Sequence, residues 1–153
     1  MPRGARGFAK SFAEMRRLVL DTNLYIDWLN AGDHEEIVFQ PGAVKFLSAV
    51  VMMELLAGAF SARDRKLLHS IFNTFTKLGR ILTPSTAMYR ETGDVLRQLQ
   101  TAHGYDLGRS HSLANDVLIA LSARSIGATV ITQNRRDFLT IQSVRAFKLS
   151  LVP

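Results

Sequence analysis

Hydrophobic positions along this chain fall into two kinds of pattern: short unbroken runs, and longer stretches with apolar residues three or four apart. RRLVLD, at residues 16–21, is a short apolar run ended by a polar cluster and reads as a buried strand. TNLYIDWLNAG follows as a helix with Leu24, Ile26, Trp28 and Leu29 apolar, stopped by Asn30 to Gly32. VKFLS is a second strand, and Ser48 is placed to cap a helix running through Val51, Glu54 and Leu55 to about Gly58. Residues 62–77 carry Leu67, Leu68, Ile71, Phe72 and Phe75 at helical spacing. RILTP is a third strand, and Pro84 opens the next helix, which holds Met88, Val95, Leu96 and Leu99. SLANDVLIALSARSIGA is another helix, with Gly127 past its end. ATVITQN is a strand running into polar residues, and FKLSLV supplies an edge strand. Strands that alternate with helices predict an α/β fold with a mainly parallel sheet. In such sheets, sites form outside the carboxyl ends of the strands.

Composition narrows this only a little. The chain has 153 residues, enough for one domain with a sizeable core. No run approaches the 18 apolar residues of a membrane-spanning helix, and the N-terminus lacks the apolar region of a secretory signal. The absence of cysteine excludes disulfides and thiolate zinc sites and is compatible with a cytoplasmic location. The net charge of +6 is uneven, because residues 1–17 hold Arg3, Arg6, Lys10, Arg16 and Arg17 against Glu14 alone. That segment is expected to be a flexible basic extension, since Phe8 and Phe12 offer little burial against the entropy of ordering it. Residues 18–153 then form the domain.

Three carboxylates stand in apolar surroundings. Asp21 ends the first strand, Glu54 lies inside AVVMMELLAGA, and Asp116 lies in LANDVLIAL. Each has an ordinary reading: a helix cap, a water-facing helix edge, a first-turn acid. A carboxylate buried unpaired costs several kcal/mol, so the group needs a cationic side chain, protonation or a bound cation. No Lys or Arg lies within four residues of Glu54, and none lies between Ser110 and Arg124. A hard divalent cation suits an all-oxygen ligand set.

Four segments in order, LVLDTNLYID, SAVVMMELLAGA, NDVLIALSARSIGATVITQN and RRDF, resemble the PIN-domain ribonucleases, above all the VapC-type toxins of bacterial toxin–antitoxin pairs. The resemblance spans about Leu18 to Phe147. It implies a three-layer α/β/α sandwich around a parallel sheet, with Asp21, Glu54 and Asp116 as catalytic ligands of Mg²⁺ or Mn²⁺. Asn134 stands where the family usually has a fourth Asp or Asn, and Asp137 lines the same pocket and can contribute through water. Thr22, Asn23 and Thr132 match positions that support the first acid. The resemblance further implies cleavage of RNA, tRNA among the candidates, with a cognate antitoxin as inhibitor and a homodimer as the working unit. Arg135, Arg136 and some of Arg109, Arg16 and Arg17 are the cations expected to meet RNA. Of the four histidines, His111 is the one to watch, for its closeness to Asp116. The apolar residues Phe60, Phe72, Phe75, Met88 and Leu99 exceed what one small sheet is expected to absorb, which also points to a dimer. The rival readings are a catalytically silent PIN-like binding module and a housekeeping nuclease.

Overall fold

The computed structural model describes residues 15–153. Five strands, β1 (Arg16–Leu20), β2 (Ala43–Ser48), β3 (Ile81–Leu82), β4 (Thr129–Thr132) and β5 (Lys148–Leu151), pair entirely in parallel in the order β3-β2-β1-β4-β5. The first strand opens at Arg16, so the last two residues of the expected N-terminal extension belong to the sheet. The rest of that extension, residues 1–14, lies outside the described residues.

Seven helices connect the described strands: α1 (Thr22–Ala31), α2 (Glu35–Val38), α3 (Ala49–Ala57), α4 (Ala62–Lys77), α5 (Thr86–His103), α6 (Leu113–Ser125) and α7 (Arg135–Val144). Parallel strands need crossovers, and the right-handed rule sends those from β1 to β2 to β3 over one face. Past β3 the chain returns to the other side of β1, so α5, α6 and α7 cover the opposite face. The result is the expected three-layer α/β/α sandwich.

Caps explain most helix starts. Ser48, Ser61 and Ser85 each accept a backbone N–H of the first turn, at α3, α4 and α5 respectively. Pro84 therefore sits one place outside the cap of α5 rather than inside the helix. Gly32 ends α1 at φ +70°, the left-handed conformation that glycine adopts without steric cost. Two helices were not anticipated: the single turn α2, whose preceding residue His34 is left-handed at φ 62°, and α7, which follows β4 after only Gln133 and Asn134.

The core is centred on β1, β4 and α6, with buried residues added from the other helices. Leu18, Val19 and Leu20 are buried on both faces of the sheet's central strand. The helix α6 is buried from Asp116 through Ala123. The apolar surplus is largely absorbed within the chain: Phe72 and Leu99 are buried, and Phe75 and Met88 pack against the core. Of that group Phe60 alone is exposed, at 89%. Among the described residues, no helix is long and apolar enough to cross a membrane.

Candidate acidic active site

The strand order reverses between β1 and β4, which run from the same edge to the same end of the sheet. At such a switch point the flanking connections leave in opposite directions and open a crevice at the strands' carboxyl ends. Asp21 follows β1 there, and Asn134 follows β4.

Asp21 is fixed by its neighbours. Its backbone N–H donates to Ile131 O at 2.9 Å, extending the β1–β4 pairing past the strand. One carboxylate oxygen accepts from Thr22 N at 2.8 Å, which makes Asp21 the N-cap of α1. The other accepts from Thr132 Oγ1 at 2.7 Å. The ordinary reading of Asp21 as a cap is therefore correct, and it coexists with the site. Thr22 Oγ1 donates to Glu54 Oε1 at 2.8 Å and so brings the half-buried Glu54 of α3 beside the end of β1.

Asp116 arrives from the first turn of α6 and is 5% exposed. Asn134 connects it to the other side of the crevice. Its Nδ2 donates to Asp137 Oδ2 at 3.1 Å and lies 3.5 Å from Asp116 Oδ2. Its own position is set by Thr132 Oγ1, which accepts from Asn134 N at 3.0 Å. A single threonine hydroxyl thus orients both Asp21 and Asn134. Asn134 also caps α7, placing Asp137 in that helix's first turn.

The electrostatics follow from burial and crowding. Burial pushes the Asp21 carboxyl above its ordinary value, against the hydrogen bonds from Thr132 and Thr22. Asp116 is pushed up to about 8, first by burial and then by the charges of Asp21, Glu54 and Asp137. No salt bridge among the described residues reaches any of these four acids. Among the described residues, then, no cationic side chain supplies the remedy for these buried carboxylates. Protonation or an added cation remains. Carboxylate oxygens form a donor set suited to Mg²⁺ or Mn²⁺, while the Asn134 amide turns its nitrogen toward them. Among the described residues, no three His, Cys, Asp or Glu side chains are already gathered around one point as an ion-holding cluster. The donors fit the metal in chemistry and share one crevice, and closing on an ion would take side-chain movement.

Two neighbours went unnoticed in the sequence. Tyr105, in the loop after α5, donates its hydroxyl to Asp137 Oδ1 at 2.8 Å. With Asn134 on the second oxygen, both oxygens of Asp137 are held by neutral donors. The guanidinium of Arg136 lies 5.9 Å from the centre of the Tyr105 ring. His34 lies beside the connection after β4. Its Nε2 is 3.0 Å from Gln133 Nε2 and 3.2 Å from Asp27 Oδ2, tying the left-handed turn before α2 to the connection after β4. His111, the one singled out from the sequence, is exposed. Arg135 and Arg136 are exposed in the first turn of α7 rather than in a free loop, and Arg109 is exposed beside Asp106 at 3.7 Å. Asn23 has a buried Oδ1 with no hydrogen-bond partner.

The fold is similar to several solved structures. A chain of VapBC from Salmonella typhimurium, solved bound to DNA, is 26% identical with a TM-score of 0.65, over 89% of this chain and 98% of that one. A chain of VapBC2 from Rickettsia felis, solved bound to a DNA fragment from their promoter, is 22% identical with a TM-score of 0.63, over 90% and 99%. A chain of VapBC-1 from nontypeable Haemophilus influenzae is 23% identical with a TM-score of 0.61, over 88% and 97%. Comparison with curated proteins gives no match. The sequence pattern of the PIN domain matches residues 18–142, well over half the chain, and with the switch-point crevice and its acids in place the chain belongs to the PIN-domain family.

Proposed function

We propose that this protein is a divalent-metal-dependent endoribonuclease and the toxin of a toxin–antitoxin pair, acting in the cytoplasm. The observation that carries the reading is the crevice itself: Asp21, Glu54, Asp116 and Asp137 crowd together with no salt bridge to any of them among the described residues. Four such acids are costly to keep, and a nuclease's cation is the partner that makes them useful.

Asp21, Glu54 and Asp116 would hold the ion, with Asp137 contributing through water and Asn134 as a neutral neighbour. Bound Mg²⁺ or Mn²⁺ supplies Lewis acidity at the scissile phosphate and a more acidic water. The chain's own contribution is preorganisation. Thr132 and Thr22 fix both oxygens of Asp21, and Thr22 also ties Glu54 to the same point. Tyr105 and Asn134 hold Asp137. At neutral pH without metal, Asp116 keeps its proton, which an arriving cation would displace. Arg135, Arg136 and Arg109 are exposed and can meet phosphates of the RNA, tRNA among the candidates.

The partner reading draws on two features. The structural neighbours named VapBC supply the first. The second is an apolar groove of about 550 Å³ between α1, α2 and α4, lined by Trp28, Phe39, Leu67, Phe75 and Leu78, which an antitoxin's apolar residues could fill. An antitoxin Arg or Lys reaching the acids would stand in for the cation. A homodimer is also proposed, now on the exposure of Met53, Phe60 and Tyr89 rather than on a general apolar surplus. The silent-module reading keeps one supporting observation, the lack of a ready-made ion-holding cluster among the described residues.

The test is RNA cleavage with Mn²⁺ or Mg²⁺, with EDTA, and with Asp21→Asn and Asp116→Asn proteins. Metal-dependent cleavage lost by orders of magnitude in both variants supports the nuclease. Asn variants that cut as fast as wild type refute it. Co-purification with the product of the adjacent gene, and inhibition by it, separates a toxin from a housekeeping nuclease.

A further inference from the structure

All strands are parallel, so the acids occupy one end of the sheet and the strands' amino ends form the other. Arg16 begins β1 five residues before Asp21, about 16 Å away along the strand at 3.3 Å per residue. At that far end a recess of about 470 Å³ opens across β1, β4 and β5. Its lining includes Arg16, Arg17, Thr129, Lys148 and the Ile126–Gly127 turn, and no acidic side chain among the described residues.

The sheet register brings these cations together. Leu18 pairs with Thr129, and Thr129 pairs with Lys148, so β4 and β5 start level with each other while β1 starts two residues earlier, at Arg16. Arg17 Nη1 donates to Ile126 O at 3.0 Å, and Lys148 Nζ donates to Gly127 O at 3.3 Å. Two cationic heads are thus held on consecutive carbonyls of one turn. The turn is tight, with Gly127 left-handed at φ +65°. These contacts satisfy carbonyls at the end of α6 and complement its dipole, which accounts for part of the arrangement. They do not neutralise the charges. Neither cation has a salt bridge to a described carboxylate, and Arg16 is exposed with no ion pair to a described residue. Like charges fixed this close raise the local potential, and an anion entering the recess relieves it.

We infer that this recess is a second nucleic-acid contact, binding backbone phosphates of the RNA at the end of the sheet opposite the acids. The inference rests on the nuclease reading for its choice of RNA. The lining has cations and a hydroxyl but no aromatic side chain, which suits sequence-independent phosphate contact rather than base stacking. Arg16 and Asp21 lie about 16 Å apart along β1 at opposite ends of a sheet covered by helices on both faces, so one RNA reaches both only by running around the outside of those layers. The recess would thus favour structured RNA over short single strands.

The experiment measures binding of a folded RNA of tRNA size in EDTA, across salt concentrations, for wild type and Arg16→Gln/Lys148→Gln. Arg17 is left intact because it holds Ile126. The double variant is expected to bind roughly tenfold more weakly at low salt, with the slope of log K against log salt smaller by about 2. Arg16→Lys/Lys148→Arg should restore both, which separates charge from any effect on folding. Unchanged affinity and slope in the double variant overturn the inference, as does a loss seen only with duplex DNA. Wild-type cleavage of the same RNA in Mn²⁺ reads the nuclease proposal separately. Cleavage with no dependence on the recess leaves that proposal standing and this inference refuted.

Discussion

Replacing Asp116 with asparagine should stabilise the metal-free protein, and by an amount that depends on pH. In the folded chain the carboxyl is pushed from 3.8 to about 8, first by burial and then by Asp21, Glu54 and Asp137. The folded state therefore holds this proton more tightly than the unfolded chain does. Below pH 4 both states are protonated and the group has no effect on stability. Between pH 4 and 8 the unfolded chain has released the proton while the folded one retains it, so stability falls as pH rises. The slope is about 1.4 kcal/mol per pH unit, which gives about 4 kcal/mol at pH 7 before the site relaxes. Relaxation and water entry reduce this, and roughly 2–4 kcal/mol is expected.

Asparagine keeps the shape, still accepts from Asn134 Nδ2, and carries no titration. Urea or thermal melts in EDTA at constant ionic strength should give matching stabilities for Asp116→Asn and wild type near pH 4. The curves should diverge up to pH 8, where the variant melts roughly 5–15 °C higher. Mn²⁺ should then stabilise the wild type by about 2.7 kcal/mol at a hundredfold excess over Kd, raising its melting point, and move the variant far less. Parallel pH profiles for the two proteins, or a variant less stable than wild type at pH 8, would refute the crowding on which the site rests.

Three further outcomes are expected. Thr132→Val removes the hydroxyl shared by Asp21 and Asn134 and should cost about 1–3 kcal/mol in urea unfolding while lowering cleavage, since it leaves a buried carboxylate oxygen without its donor. Tyr105→Phe should change stability by no more than about 1.5 kcal/mol yet lower kcat several-fold with little change in KM, because Asp137 loses one of its two neutral donors. Phe138→Ala, at a fully buried position of α7, should cost about 3–5 kcal/mol by denaturant titration without altering the metal requirement of the remaining activity.

Much of the fold was legible because local pattern and tertiary role agree. The helices α3, α4 and α5 have serine caps and apolar residues at helical spacing, and β1 and β4 are apolar runs because both faces of the central sheet are covered. What was missed has weak local signals. The helix α7 buries only Phe138 and Ile141, too little to stand out, and it starts at once from β4 through the Asn134 cap. The single turn α2 depends on a left-handed His34, which nothing in its sequence requires. The acids could be singled out because a carboxylate among apolar residues is conspicuous wherever it lies. Tyr105 could not, since its partner is 32 residues away and a tyrosine in a loop is ordinary. His34 and Gln133 are 99 residues apart and meet only because β1 and β4 are neighbours.

The neutral Asn134 has a physical rationale in the same crowding. Asp116 already feels three other carboxylates from within a buried crevice. A further carboxylate at position 134 would lie about 3 Å from Asp137 and little farther from Asp116, adding repulsion to a group already pushed up to about 8. An amide does the opposite: its Nδ2 faces both acids as a donor, and its Oδ1 lies 3.4 Å from the backbone N–H of Asp137 at the start of α7. It thereby links α6 to α7 and caps a helix without adding charge. The same Thr132 hydroxyl that holds Asp21 holds this residue in place. The two sides of the switch-point crevice, one from β1 and one from β4, are therefore set by a single side chain at the end of β4.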